Sequence, residues 1–276
     1  MTTQKVVADL RISLPLRIWI GIEVIFGLLS LVTISLTPHD TANHFAWPIR
    51  PDATAALLGG FYTAAASFYV LALFARRWEN IRVFVIASIL FSSTELLATF
   101  LHWDRFLVGT TPFNVWFVSY LLPPPLFIAF YYWHQQRTAP IPKAGDEPLP
   151  PNLRVVLTAL GALLALYAVL VFVLPAALIA IAPWQFTPLT ARAFSGWILA
   201  TGILLLSCAR ENDRTRCRLI SPFFVLLLPA IVLELWRYPG GVNWSHPTVY
   251  AGAALLAVVF AIGVYLIGGD WRRTMQ

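Results

Sequence analysis

The chain has 276 residues, of which 12% are charged and 59% apolar, with a mean hydropathy of +0.73. A soluble domain carries roughly a quarter charged residues and just under half apolar ones, so no soluble domain of useful size is expected. The net charge of +6 does not point to nucleic acid, because the basic residues are scattered over short loops between apolar runs and form no single basic face.

Apolar runs without a helix-period polar face recur along the whole chain, each close to the ~20 residues needed to cross a bilayer. They predict an all-α, polytopic membrane protein with eight transmembrane helices over about 16–36, 53–75, 83–101, 113–133, 155–174, 189–209, 219–236 and 249–268. The first run follows Lys5, Arg11 and Arg17 as a secretory leader would, but it has a counterpart in the second half and is read as a span. It also holds Glu23, for which pairing with an arginine of a terminus-side loop is expected, a proton site being the lesser reading.

In the loops before the second and sixth spans, Pro51-Asp52 places a carboxylate at a helix start and Thr187-Pro188 reads as an N-cap followed by a first-turn proline. The third span carries Glu95, Thr99 and His102 at spacings that return to one helix face. In the fourth, Pro123-Pro124-Pro125 supplies no N–H to the carbonyls of Ser119, Tyr120 and Leu121, which predicts a packing kink. The seventh span ends in Glu234, Arg237 and Tyr238, where three-residue spacing allows a Glu–Arg pair. Cys208 and Cys217 have neither metal-ligand spacing nor a nearby His.

Between the fourth and fifth runs lies a long polar, proline-rich stretch, and the sequence on either side of it matches. Leu14-Pro15-Leu16-Arg17-Ile18 answers to Pro151-Asn152-Leu153-Arg154-Val155, Pro38 to Pro175, Trp47 to Trp184, Pro51 to Pro188 and Gly59 to Gly196. Two four-helix repeats are expected, over 1–136 and 153–276, joined by a linker at 137–152. Four spans per repeat is an even number, so the repeats have parallel orientation.

With the N-terminus cytoplasmic, 15 of the 19 basic residues fall on the cytoplasmic side, leaving Arg50, Arg105, Arg192 and Arg237 outside. The positive-inside rule therefore expects both termini and the linker in the cytoplasm, with the chain in the cell's inner membrane. All 11 tryptophans fall near span ends and are read as interfacial belts. The mixed-charge loops at 76–82 and 210–218 are read as solvated turns, since the chain has no glycine-rich phosphate loop.

An ionisable side chain in hydrocarbon costs several kcal/mol unless it is paired or faces water or protein. Glu95, Thr99, His102, Glu234, Arg237 and Tyr238 are accordingly the candidate ligand-binding residues, lining an outward-facing cavity between the repeats. The expected function is binding or transport of a small lipophilic or amphipathic molecule. A membrane-embedded enzyme acting on a lipid or isoprenoid, with Glu95 and His102 as acid and base, is one alternative. A structural subunit paired with other membrane subunits, its charges locking helix packing, is the other. His39, His44, His102 and His246 with Asp40 and Asp104 match no metal-ligand spacing. No lysine lies in a span to form a Schiff base, and no facing pair of membrane histidines suits haem. No cofactor is named by the sequence, and the bilayer is the one certain partner.

The strings Phe45-Ala46-Trp47-Pro48-Ile49-Arg50-Pro51-Asp52, Leu96-Leu97-Ala98-Thr99-Phe100-Leu101-His102-Trp103-Asp104-Arg105-Phe106 and Thr187-Pro188-Leu189-Thr190-Ala191-Arg192 resemble a bacterial family of multi-span integral membrane proteins with no assigned activity. The resemblance covers most of the chain. It implies a polytopic membrane protein and no activity, cofactor or site.

Overall fold

A computed structural model describes residues 11–138 and 147–272. Half of the expected linker, 139–146 with Lys143, lies outside the described residues, as do Lys5 and Arg273. Among those described, eight helices are long and apolar enough to cross a membrane: α1 (Leu14–Leu36), α2 (Asp52–Phe74), α3 (Trp78–Leu101), α4 (Thr111–Arg137), α5 (Pro151–Val173), α6 (Pro188–Glu211), α7 (Arg214–Arg237) and α8 (Pro247–Ile267). The fold is all-α and the chain is built as a multi-pass membrane protein. The near end below is the one holding the α2–α3 and α6–α7 loops, and the far end is its opposite.

The four most buried helices, α2, α3, α6 and α7, form the centre. There α3 packs on α6 and α2 on α7, while α1 covers α2, α4 covers α3, α5 covers α6 and α8 covers α7. Lipid is as apolar as leucine, so helices associate through close packing of small residues. A Cβ added to either Gly161 on α5 or Gly202 on α6 would come within 2.8 Å of the other's carbonyl oxygen, and one at Gly263 on α8 within 2.8 Å of the Phe224 side chain. Only glycine lets these backbones meet.

Local chemistry starts the helices where expected. The Thr187 hydroxyl accepts from the Thr190 N–H at 3.1 Å with Pro188 in the first turn, and Thr110 does the same for Phe113 at 3.3 Å. Asn212 ends α6 in the left-handed region at φ 50°, which asparagine tolerates better than most residues. In α4 the proline run interrupts the ladder without ending the helix. Leu122 keeps helical angles between Thr111–Leu121 and Pro123–Arg137, and regular bonds resume at Leu126 N–H to Leu122 O, 3.2 Å.

Two expectations about the loops and rings are corrected. The mixed-charge loops are not simply solvated. Arg82 on α3 meets Glu211 on α6 at 2.6 Å, and the buried Arg216 lies 3.4 to 3.6 Å from Asp213, Glu211 and Glu79, so the charges bind the two loops to each other. Arg218, fully buried, donates to the Gly268 and Asp270 carbonyls at 3.0 and 2.9 Å and pairs with Glu147 at 2.9 Å, fastening the end of the linker to the chain after α8. Nor are all tryptophans interfacial. Trp103, Trp133, Trp236 and Trp244 are exposed, but Trp19, Trp47, Trp78, Trp116 and Trp197 are buried between helices. Trp47 and Trp116 pack edge to face at 4.7 Å with Phe45 and Phe106 around them, the arrangement that the ring quadrupoles favour.

Candidate functional site

One face of each of the first four helices turns toward a shared cavity of about 210 Å³. The spacings are helical on every wall: Glu23, Phe26, Gly27, Ser30 and Thr33 on α1; Tyr62, Ala65, Ala66 and Tyr69 on α2; Ser88, Phe91 and Ser92 on α3; Pro112, Val115, Trp116, Ser119, Tyr120, Pro123 and Phe127 on α4. Trp197, Ala200 and Leu204 of α6 and Phe223 of α7 close the inner side. Leu29 on α1 and Thr111 and Val115 on α4 line the cavity while remaining exposed, so it opens between α1 and α4 at the surface where lipid would lie.

Nearly all the hydroxyls on these walls are already bonded. Tyr69 and Ser88 join at 2.7 Å, the hydroxyls of Tyr62 and Tyr120 bond to each other, Ser92 donates to the Ser88 carbonyl at 2.6 Å, and Ser119 to that of Trp116 at 2.8 Å. Glu23 is different. Its Oε1 is buried without a hydrogen-bond partner. The arginine pairing expected for it does not form among the described residues: Arg17, the basic residue nearest to it on α1, donates to the carbonyls of Leu73 and Ala75 at the end of α2. Among the described residues Glu23 is the one acid on the cavity wall, and no lysine or arginine lines it.

The six candidates read from the sequence fall into two groups at different helix interfaces, and none lines this cavity. On α3, Glu95 is 1% exposed, neither of its oxygens has a hydrogen-bond partner, and it abuts Gly196 of α6. Thr99 donates to the Glu95 carbonyl at 2.8 Å and accepts from the Trp116 indole at 3.0 Å. His102 lies 2.6 Å from the Arg192 guanidinium. Burial and then the Arg192 charge push the His102 ring below the usual histidine range, with Asp104 opposing and Arg105 adding to the fall.

The second group ties α7 to α1 and α2. Glu234 pairs with Arg237 at 2.8 Å, as the spacing allows, and accepts from the Ser35 hydroxyl. Arg237 also donates to the Ser35 carbonyl at 3.0 Å and to the Tyr238 hydroxyl at 3.3 Å. Every charge here is answered, which suits a structural clasp. Glu95 is not answered, and it lies within electrostatic reach of Tyr62 and Tyr120, the bonded pair on the cavity wall.

The polar periodicity of the first four spans, above all Tyr62 with Tyr69 and Ser88 with Ser92, was the sequence signal for the cavity. Which faces converge is not carried by any one span. Compared with protein-family models, curated proteins and solved structures, the chain matches none.

Proposed function

We propose that this protein binds a small lipophilic or amphipathic molecule in the cavity among α1–α4, reached from the bilayer between α1 and α4. The observation that carries the reading is an aromatic-walled space open at the bundle surface whose wall holds a carboxyl oxygen without a partner. Ligand sites combine mostly apolar walls with a few placed polar groups. The volume of about 210 Å³ exceeds the ~150 Å³ apolar cavity that admits benzene, so a ring or short chain bearing one polar group fits.

The proposal includes residence in a bacterial inner membrane with both termini cytoplasmic, supported by the distribution of basic residues. It also includes descent from a duplicated four-helix unit. Replacing each helix by the one four places along turns the α2–α7 contact into α6–α3, and α1–α2 into α5–α6, as a two-fold axis along the membrane normal requires.

The test is native mass spectrometry of the protein released from mild detergent, beside Ser119→Trp, which puts an indole into the cavity from the half-buried α4 wall. A co-purifying small molecule present on the wild type and lost in the variant supports the reading. Identical apo masses, or adducts indifferent to the substitution, overturn it.

A further inference from the structure

The cavity's charge pattern narrows the class of guest. We infer that it takes a lipophilic cation, an amine or quaternary ammonium carrying a compact apolar group, with Glu23 as the counter-charge. This rests on the binding role proposed above and specifies its ligand.

Three observations converge. Among the described residues Glu23 is the sole acid on the wall, and its Oε1 is buried without a hydrogen-bond partner. The neutral Trp19 indole reaches this carboxyl but brings no charge, and a carboxylate without a counter-charge in an apolar wall carries a cost that a bound cation offsets. The protein also keeps its own cations out of reach. Among the described residues no lysine or arginine lines the cavity, Arg17 is committed to the Leu73 and Ala75 carbonyls, and His44 at the rim lies 3.0 Å from Asp40. An anionic guest would find no positive partner here, which sets aside fatty acids and free phosphate esters.

The remaining wall is dominated by aromatic rings, among them Phe26, Phe68, Tyr69, Phe91, Trp116 and Phe127. The negative face of a ring attracts a cation within about 6 Å of its centroid, and ammonium groups with apolar substituents are held this way. Glu23, Phe26, Tyr69 and Tyr120 line the same cavity, so rings and carboxylate face one space. The hydroxyls that would otherwise recognise a neutral polar guest are largely bonded to the protein itself.

The experiment compares three probes of similar size on the full chain in nanodiscs of uncharged phosphatidylcholine: benzyltrimethylammonium, its neutral carbon isostere neopentylbenzene, and the anion phenylmethanesulfonate. The cation should bind saturably and about tenfold or more tightly than the isostere, with the anion showing no saturable binding. Glu23→Gln should lower the cation's advantage about tenfold, leaving only what the rings supply, with neopentylbenzene affinity unchanged, which also shows that the variant is folded. Equal binding of cation and isostere, or a cation preference undiminished by Glu23→Gln, overturns the inference and leaves the lipophilic-ligand reading intact. If no probe binds saturably, or if Ser119→Trp leaves all binding unaltered, both fail.

Discussion

Glu95 on α3 and Gly196 on α6 fit each other: the carboxyl group occupies the space where any side chain at 196 would begin. A Cβ there would overlap Glu95 Oε1 and come within 3.3 Å of the Phe91 ring. An acid buried in a membrane bundle with no bonded partner is thus accommodated by the absence of a side chain on the opposing helix. At the matching contact between α2 and α7, Glu234 lies against Gly60, whose Cβ would meet its Cγ at 3.6 Å.

Gly196→Ala should destabilise the protein by about 1–3 kcal/mol, the usual cost of overpacking, because the carboxyl has no bonded position to retreat to. Gly60→Ala, which meets nothing closer than Ile231 Cδ1 at 3.3 Å, should cost less. The Glu95→Ala, Gly196→Ala double variant should be more stable than the sum of the single losses predicts, since the first change empties the space that the second fills. Denaturant unfolding in detergent measures all four, and strict additivity would show that the two residues are not in competition.

These contacts mark how far the sequence could be read. The eight spans were legible because a bilayer demands uninterrupted apolar runs, and the starts of α2 and α6 agree with the structure to within a residue. The starts of α3 and α7 were placed five residues late. There Glu79 and Arg82 continue α3, and Arg216 and Arg218 sit in a short helical segment that a turn at 219–220 joins to the rest of α7; their charges are answered by other segments where an isolated run would have left them in water. Glu234 with Arg237 was legible for a local reason, three-residue spacing on one helix. The environments of Glu23 and Glu95 were not, because each depends on what a helix distant in sequence presents to it.

Arg216 should be the most consequential charge at the near end. It is 6% exposed and stands among Glu79, Glu211 and Asp213. Arg216→Met removes a cation that these three carboxylates share, and removing one partner of a buried ionic cluster costs about 3–5 kcal/mol. Arg105→Met breaks an exposed pair with Asp104 and should cost under about 1 kcal/mol. Thermal unfolding of the two variants side by side checks the contrast.

His102 should make the far end sensitive to acid. Because the folded protein holds this ring below its ordinary range, the neutral form is the one the fold favours. The associated stability is complete above about pH 6.5, the unperturbed histidine value, and is lost as pH falls through it toward the folded-state value. Protonation would place a second positive charge against Arg192, with Arg105 adding to the repulsion and Asp104 opposing it. His102→Gln retains an acceptor for Arg192 and cannot titrate. Its melting temperature should therefore change less than that of the wild type between pH 8 and about pH 5.5, and parallel curves would remove His102 as the sensor.

The proline run in α4 should matter more to the cavity than to the fold. Pro123, Pro124 and Pro125 donate no N–H, and Ser119, Tyr120 and Pro123 of this break line the cavity wall. Tyr120 is held there by its bond to Tyr62. Replacing all three prolines by alanine restores three backbone donors and draws α4 toward a straight helix. Folding stability should hold or rise, while the wall carrying Ser119 and Tyr120 is displaced from its partners on α2. Binding of a lipophilic probe should then weaken about tenfold or more, as a shift of about 1.4 kcal/mol or above would produce. Affinity unchanged in the triple variant would mean that the break serves only the packing of α4 on α3. Loss of affinity with stability retained would show that the prolines shape the site itself.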